Sequence, residues 1–331
     1  MSFLDRHLTI LPNGVGIDPT RPMARAIITH GHGDHARRGH GAVLATADTI
    51  AIMQTRYGPD CAGSFQALAY GEPVLVDGVE VTLFPAGHIL GSAQVRLNYR
   101  GETIVDTGDY KRLPDATAQP FELVRGDILV TEATFALPVF QHPRPEAEIA
   151  RLLKSVADSP GRAHLVGAYA LGKAQRVMSL LRAAGYDRPI YVHGAMVALT
   201  ELYEARGVSL GPVKLVLEAS KTELAGQIVI APPGAVKDRW SRRLPDPVVA
   251  VASGWMSVKQ RARRAGVELP LVISDHADWN ELRATITESG AGQVWVTHGR
   301  ADALVYWCRQ QGLAAEPLNI IGYDESGEGG E

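Results

Sequence analysis

Residues 30 to 35 form the segment of this sequence whose residue types are best suited to metal chemistry. The segment follows the apolar, strand-like stretch Ala26–Thr29 and reads His30-Gly31-His32-Gly33-Asp34-His35. Neutral imidazole nitrogens and carboxylate oxygens are ligands that zinc prefers. In extended backbone His30 and His32 point to the same side, so both can reach one ion. Asp34 and His35 turn toward a second position, and the two glycines supply the backbone torsions that such a turn needs.

Four more ligating side chains lie where predicted strands end. Each is adjacent to Gly or Pro, and the four residues are Asp18, His88, Asp109 and His298. An α/β scaffold presents active-site groups at strand ends. Taken singly, each residue is as readily a turn, cap or packed side chain. Together with the histidine-rich segment they indicate one metal centre.

The elements that position these residues follow two patterns along the chain. The first third consists of short predicted strands and turns, interrupted by one helix near Ala47–Arg56. From Pro145 to Ala205 helices and strands alternate, which indicates βαβ units and a parallel sheet. Strands and helices alternate again after Pro247. We expect the acidic, glycine-rich tail Asp324–Glu331 to be disordered.

Composition narrows the class of protein. The 331 residues are 46% hydrophobic, enough for one large domain or two moderate ones, and the net charge is −3. No global basic field attracts nucleic acid, so any such affinity must come from local patches. Cys61 and Cys308 give no sign of a disulfide framework. Because we find no signal-peptide layout and no membrane-spanning apolar run, we expect a cytoplasmic protein without membrane association.

The metal-ligating segments resemble the metallo-β-lactamase superfamily. The resemblance is carried by Asp18, the segment of residues 30–35, His88 within AGHILGSAQ and Asp109 within DTGDY. The amino-acid sequences of the last two segments are similar to those of the β-CASP nucleases, the nucleic-acid branch of the superfamily.

Four further segments strengthen the resemblance to the β-CASP nucleases. Glu132 in VTEATF, His276 in ISDHAD and His298 in VTHG match the three β-CASP motifs, and ALGKAQR resembles the start of a family helix. The likeness runs from about Asp18 to Ala303. In length and sequence, the chain most resembles the bacterial group of exonucleases associated with DNA ligase.

The resemblance implies a ligand set for two zinc ions. His30, His32 and His88 would hold the first ion, and Asp34, His35 and His298 the second, with Asp109 bridging both. Two neighbouring cations need an anionic bridge, and a water shared between them loses its proton near neutral pH and becomes the nucleophile. Manganese is the alternative metal, because histidine-rich sites accept both.

The resemblance also implies the catalytic residues. Besides Asp34, these are His276, as the general acid for the leaving sugar oxygen, and Glu132, which would hold the imidazole ring of His276. The carboxylates around His276 would raise its pKa. The alternative is a purely structural His276. Asp18 would orient a metal-bound histidine.

Residues expected to contact substrate phosphates or bases are polar, basic or aromatic. They are Ser253, Gly254 and Trp255, which resemble a phosphate-binding family loop, together with Lys173, Arg176 and Arg239. The alternative for the basic residues is an ordinary solvated surface.

The implied fold is α/β. We expect an αββα metallo-β-lactamase sandwich formed by residues 1–135 and 251–331. A β-CASP-like cap, residues 136–250, would be inserted into it and would clamp the substrate against the metal site.

The implied function is hydrolysis of phosphodiester bonds in nucleic acid. The first hypothesis is a DNA exonuclease that acts in repair with an ATP-dependent DNA ligase and a helicase. An RNA-processing nuclease is the alternative, because His298 is more typical of RNA-cutting members. A thioesterase or lactonase would not require Glu132 or His276, and a non-catalytic binding subunit typically lacks zinc ligands that are all present here.

Overall fold

The computed structural model describes residues 2–318, which divide into two compact units. The first unit contains the described residues up to Gln141 and those from His276 onward, and the second unit is His142–Asp275. The boundaries expected from sequence, after residues 135 and 250, differ from this division. The tail Asp324–Glu331 lies outside the described residues.

The described residues form eighteen strands and seven α-helices. The strands are β1 (Thr9–Ile10), β2 (Val15–Ile17), β3 (Arg25–Ile27), β4 (Ala42–Ala45), β5 (Phe65–Ala67), β6 (Pro73–Val76), β7 (Val79–Pro85), β8 (Ala93–Tyr99), β9 (Glu102–Asp106), β10 (Ile128–Ala133), β11 (His164–Gly167), β12 (Ile190–Val192), β13 (Val213–Leu215), β14 (Ile228–Ala231), β15 (Val248–Ala252), β16 (Leu269–Leu271), β17 (Gln293–Gly299) and β18 (Ala314–Pro317). The helices are α1 (Ala47–Tyr57), α2 (Pro145–Asp158), α3 (Lys173–Ala183), α4 (Val197–Ala205), α5 (Lys259–Ala265), α6 (Trp279–Ser289) and α7 (Asp302–Gln310). Within residues 2–318 no helix is both long and apolar enough to cross a membrane.

The first unit is built from two sheets. One has the order β1-β2-β3-β4-β5, and the other has the order β18-β17-β10-β9-β8-β7-β6. Apolar side chains of both sheets share one core, for example Ile17 and Ile27 with Leu83 and Val95. Burying these faces together is the main favourable term for folding of this unit.

Helices cover the opposite face of each sheet in the first unit. Helix α1 packs Ile50 and Met53 against the five-stranded sheet. Helices α6 and α7 pack Leu282 and Leu304 against the seven-stranded sheet, next to Val294. Each sheet therefore has its outer face covered, and the polar strand ends remain available for chemistry.

The second unit contains a six-stranded sheet in the order β13-β12-β14-β11-β15-β16, and every neighbouring pair is parallel. The alternation of helix and strand after Pro145 predicted such a sheet, and that prediction is confirmed. The expected boundary at residue 250 cuts through β15. Because β15 pairs with β11 and β16 pairs with β15, the unit extends past Ala252 and Leu271.

Candidate metal centre

Imidazoles from two loops of the first unit surround a carboxylate that belongs to a third loop of the same unit. His32 Nδ1 lies 3.1 Å from His30 Nε2 and 3.0 Å from His88 Nε2. Asp109 Oδ2 lies 3.4 Å from His30 Nε2 and 3.8 Å from His88 Nε2. Residues that span 79 positions of the chain, from His30 to Asp109, therefore present their ligand atoms to one small volume.

A second group of ligands shares the same carboxylate oxygen. His35 Nε2 lies 3.4 Å from Asp109 Oδ2 and 3.8 Å from Asp34 Oδ2. The rings of His35 and His298 are 4.6 Å apart between centroids. The ligand atoms of His35, Asp109 and His298 all lie within 4.8 Å of one another. Asp109 thus belongs to both groups.

These separations match the donor set of a divalent metal ion. A tetrahedral site with metal–nitrogen bonds of about 2.0–2.1 Å has its ligand atoms roughly 3.3 Å apart. The closest ligand pairs in both groups fall near this value. Asp109 Oδ1 is also buried without a hydrogen-bond partner among the described residues. A buried carboxylate oxygen of this kind is costly unless a cation satisfies it.

Asp18 and Thr29 set the tautomers of two of the candidate ligand histidines. Asp18 Oδ2 lies 2.7 Å from His35 Nδ1 and accepts from Thr29 Oγ1 at 2.5 Å, and Thr29 N donates to Asp18 Oδ1 at 2.8 Å. A carboxylate only accepts, so Nδ1 of His35 carries a proton and Nε2 is the nitrogen left to bind a metal. Because the Thr29 hydroxyl hydrogen is directed to Asp18, its oxygen accepts from His30 Nδ1 at 3.0 Å. The sequence indicated Asp18 for this role but not Thr29.

Burial and neighbouring charges separate the pKa values of the ligands. Burial lowers the pKa of His30 well below its usual value, and burial together with His35 lowers the pKa of His298 to about 4. Burial would lower the pKa of His35 as well, but Asp109 and Asp34 raise it well above its usual value. Burial opposes ionisation of Asp109, yet His35 and His276 hold its pKa well below the usual range. The site therefore offers anionic and neutral ligands, plus one imidazolium proton that a cation would displace.

His298 reaches the site through a β-bulge. In the pairing of β10 with β17, Glu132 lies opposite Thr297 and Ala133 lies opposite Gly299, so His298 is the additional residue. His298 adopts the left-handed backbone with φ 52°, which is uncommon for a side chain of this size. Gly299 has φ 138°, and a Cβ there would clash with the Ala133 carbonyl. The bulge redirects the His298 side chain, and it has no visible sequence signal.

Helix α1 supports the loop that carries the first histidines. A Cβ on Gly31 would clash with the buried side chain of Ile52, and Arg56 Nη1 donates to Gly31 O at 2.7 Å. The sequence-based reason for the two glycines was wrong, because neither Gly31 nor Gly33 has a positive φ. Gly31 is required by the close approach of the helix.

Glu132 and His276 form a pair at the edge of the ligand groups. His276 Nδ1 lies 3.0 Å from Glu132 Oε2 and 3.9 Å from Asp109 Oδ2. Glu132 is fully buried, and its other oxygen accepts from Tyr110 N at 2.9 Å. Burial raises the pKa of Glu132, and the neighbouring His276 acts in the opposite direction. The ring of His276 lies 4.5 Å from that of His88 between centroids, so this imidazole adjoins the ligands.

Two of the expected substrate contacts have buried side chains in the second unit. Lys173 Nζ lies 2.5 Å from Asp275 Oδ1, and both side chains are 4% exposed. Arg176 Nη1 donates to Ser274 O at 2.8 Å. The structure thus gives both cations a partner in the segment Ser274–Asp275, whereas the sequence indicated contact with substrate phosphate or, as the alternative, ordinary surface charge. Sequence alone does not distinguish these cases, because the partner lies about 100 residues away.

The other expected substrate contacts lie in short 3-10 helices of the second unit. Arg239 is exposed at the start of Arg239–Arg243. The Ser253 hydroxyl accepts from Trp255 N at 3.3 Å and caps the helix Gly254–Ser257, whose Gly254 is buried. The Arg261 guanidinium lies 4.1 Å from the ring centroid of Trp255. An exposed guanidinium, an aromatic face and a hydroxyl are groups that can bind phosphates or bases.

Histidine nitrogens and carboxylate oxygens around one shared carboxylate are the donor set of a metal-dependent hydrolase. No protein-family model matches the chain. The chain is 30% identical over 318 residues to a probable DNA ligase of Opitutus terrae, a match that covers 93% of the chain and 30% of the relative. It is 32% identical over 145 residues to RNase aCSPSF2 of Saccharolobus solfataricus, which covers 42% of the chain and 29% of that protein.

A further relative is the endoribonuclease ysh1 of Aspergillus fumigatus, 39% identical over 111 residues, or 32% of the chain and 12% of the relative. The chain thus spans less than a third of the length of each of these three proteins. These similarities support a relationship of the chain to the β-CASP nucleases of the metallo-β-lactamase fold.

Proposed function

We propose that this protein hydrolyses phosphodiester bonds of nucleic acid, and that its specific function is that of a DNA exonuclease in repair. The observation that carries the proposal is the position of His276 Nδ1, which lies 3.0 Å from Glu132 Oε2 and 3.9 Å from Asp109 Oδ2, the oxygen shared by both ligand groups. We assign two zinc ions to these groups. His30, His32, His88 and Asp109 hold one, and Asp34, His35, His298 and Asp109 hold the other.

Two divalent ions bound there would supply a nucleophilic water at neutral pH and offset charge on the attacked phosphate. The protein's own contribution is to keep the ligands in the required protonation states. Asp18 and Thr29 hold the Nδ1 protons of His35 and His30, which leaves both Nε2 atoms as donors of electron pairs. The fully buried ligands His30 and His35 also exclude bulk water from this side of the site.

His276 protonates the leaving sugar oxygen in this proposal. Its Nδ1 faces the Glu132 carboxylate, so the Nε2 proton is the one transferred. Tyr110 N fixes the other oxygen of Glu132, which prevents the carboxylate from rotating away from the ring. A thioesterase of this fold would not need such a pair, because its thiolate leaving group departs without a general acid.

The relative whose match covers 93% of the chain is named a DNA ligase, and this supports DNA as the substrate. A nuclease that trims strand ends fits an enzyme that joins them, so we propose action alongside an ATP-dependent ligase and a helicase in the cytoplasm. RNA is the second candidate. It is supported by the names of the ribonuclease relatives, whose matches cover 42% and 32% of the chain, and by His298.

Substrate contacts in the second unit form part of the proposal. Trp255 offers an aromatic face, and Arg239 offers an exposed charge for the phosphate backbone. The Ser253 loop offers a hydroxyl and backbone N–H groups for a terminal phosphate. We further propose that the first unit is the αββα sandwich of the superfamily and that the second unit is its β-CASP-like insertion.

Cleavage of end-labelled DNA and RNA, single- and double-stranded, tests the proposal. The protein should be freed of metal and supplied separately with zinc and manganese. The matched variants are His276→Ala and Glu132→Gln, with His7→Ala as the control, because His7 is exposed. We expect His276→Ala to retain metal and cut about 10²–10⁴-fold more slowly. Equal cutting by this variant would remove His276 from the mechanism, and no cleavage of any strand by the wild type would remove the nuclease assignment.

A further inference from the structure

Lys111 lies where three loops of the candidate site meet. It follows Asp109 by two residues, and its side chain is 6% exposed. Lys111 N donates to Ala86 O at 3.0 Å, and Gly87 approaches Lys111 O so closely that a Cβ there would clash. The backbone of Lys111 therefore joins the Asp109 loop to the loop that carries His88. A lysine buried at this depth needs a charged partner.

The partner of Lys111 is Glu281, in the first turn of α6. Its carboxylate accepts from Lys111 Nζ at 2.7 Å, from Leu113 N at 2.9 Å and from Asp278 N at 3.0 Å. The side chain of Glu281 is 18% exposed. One carboxylate thus binds two donors from the loop after Asp109 and one donor from the loop after His276.

Two more hydrogen bonds fix the same loops at their inner ends. Ala277 N donates to Tyr110 O at 2.6 Å, and Tyr110 N donates to Glu132 Oε1. The backbone on both sides of Tyr110 is therefore held, by Glu132 on one side and by Glu281 on the other. His276 lies directly before Ala277, so the position of its ring depends on these contacts.

We propose that Lys111 and Glu281 are positioning residues that hold His276 against Glu132 and beside Asp109. The inference rests on the proposed function, because it assigns to His276 a role that depends on exact placement. Neither residue is in either ligand group. Loss of the ammonium leaves a largely buried carboxylate without its counter-charge, and the two loops must move to rehydrate it. A proton donor displaced by about 1 Å loses much of its effectiveness.

The test compares Lys111→Met and Glu281→Gln with the wild type, and Lys111→Arg serves as the conservative rescue. The chain offers a matched control in Arg112→Met, because Arg112 pairs with Glu288 at 2.7 Å between the same two segments, with side chains 23% and 46% exposed. Exposed pairs of this kind contribute little. Each variant is assayed with zinc on an oligonucleotide and on bis(p-nitrophenyl) phosphate, whose good leaving group needs no general acid.

We expect Lys111→Met to lower kcat on the oligonucleotide about 10- to 100-fold, a fraction of what a positioned acid contributes. KM, the metal content and hydrolysis of the nitrophenyl ester should stay within about 3-fold of the wild type. Lys111→Arg should recover most of the loss, and Arg112→Met should show none. In the His276→Ala background, Lys111→Met should have no further effect, because both changes remove the same step.

Hydrogen exchange supplies a readout that does not depend on activity. The amides of Leu113 and Ala277, which donate to Glu281 and to Tyr110 O, should exchange faster in Lys111→Met than in Arg112→Met. The proposal is overturned by unchanged kcat, by equal losses on both substrates, by lost metal, by unchanged exchange, or by effects that multiply with His276→Ala. A wild type that cleaves neither substrate would instead contradict the proposed function.

Discussion

Replacement of Asp18 by Asn tests the proton arrangement behind the ligand histidines. Asp18 Oδ1 accepts from Thr29 N, and Oδ2 faces both His35 Nδ1 and Thr29 Oγ1. Asparagine keeps one acceptor oxygen and places an amide N–H₂ where the other oxygen was. The new amide N–H₂ then faces two other donors, His35 Nδ1–H and the Thr29 hydroxyl. His35 relieves this conflict by moving its proton from Nδ1 to Nε2. That tautomer withdraws the lone pair that a metal needs.

The magnitude follows from the lost hydrogen bond. A hydrogen bond to a charged group contributes about 1.5–3 kcal/mol, and each 1.4 kcal/mol corresponds to a tenfold change in affinity. We therefore expect zinc to bind roughly 10- to 150-fold more weakly in Asp18→Asn. This agrees with the usual effect, about 10- to 100-fold, of removing an outer partner of a metal ligand.

Competition with a chromophoric chelator measures this change on metal-free protein. Thermal unfolding in the presence of a strong chelator separates weaker binding from a weaker fold. Asp5→Asn is the matched control, because Asp5 also accepts two hydrogen bonds, from His7 N and Thr9 N, but is far from the ligands in the chain. Unchanged affinity in Asp18→Asn, or an equal decrease in Asp5→Asn, would refute the tautomer argument.

Three further predictions address stability and substrate binding. Burial raises the pKa of Asp106 to about 7, so the folded protein keeps a proton that the unfolded chain releases near pH 4. The free energy of unfolding of the metal-free wild type, measured with urea, should therefore fall by up to about 4 kcal/mol relative to that of Asp106→Asn between pH 4 and 8. Equal pH profiles would contradict this. Gly31→Ala should destabilise the fold by about 1–3 kcal/mol, because the new Cβ clashes with Ile52. A second substitution, Ile52→Ala, should remove most of this clash. A Gly31→Ala variant as stable as the wild type would show that α1 moves easily. Arg239→Ala should raise KM for oligonucleotides at constant kcat and lower the slope of log affinity against log salt by about 1, whereas exposed Lys221→Ala should leave both unchanged.

Local sequence was informative where one segment supplies several donors. The histidine-rich segment after β3 could be interpreted directly, because the types and spacing of its residues restrict the chemistry. The alternation of helix and strand predicted the parallel sheet of the second unit in the same way. The end of that unit could not be predicted, because β16 joins the sheet through backbone pairing with β15, which leaves no distinctive side-chain pattern.

The support for the site was less predictable, because it depends on partners distant in the chain. In the sequence, Lys173 and Lys111 look alike, because each is a basic residue in or next to a motif: Lys173 lies in ALGKAQR and Lys111 follows DTGDY. Lys173 lies against Asp275 and Lys111 against Glu281, 102 and 170 residues away. Whether such a lysine is exposed and contacts substrate, or is buried and holds a loop, is decided by the acid that the fold brings to it. A search for long-range buried ion pairs next to motif residues would therefore find the positioning groups that local patterns miss.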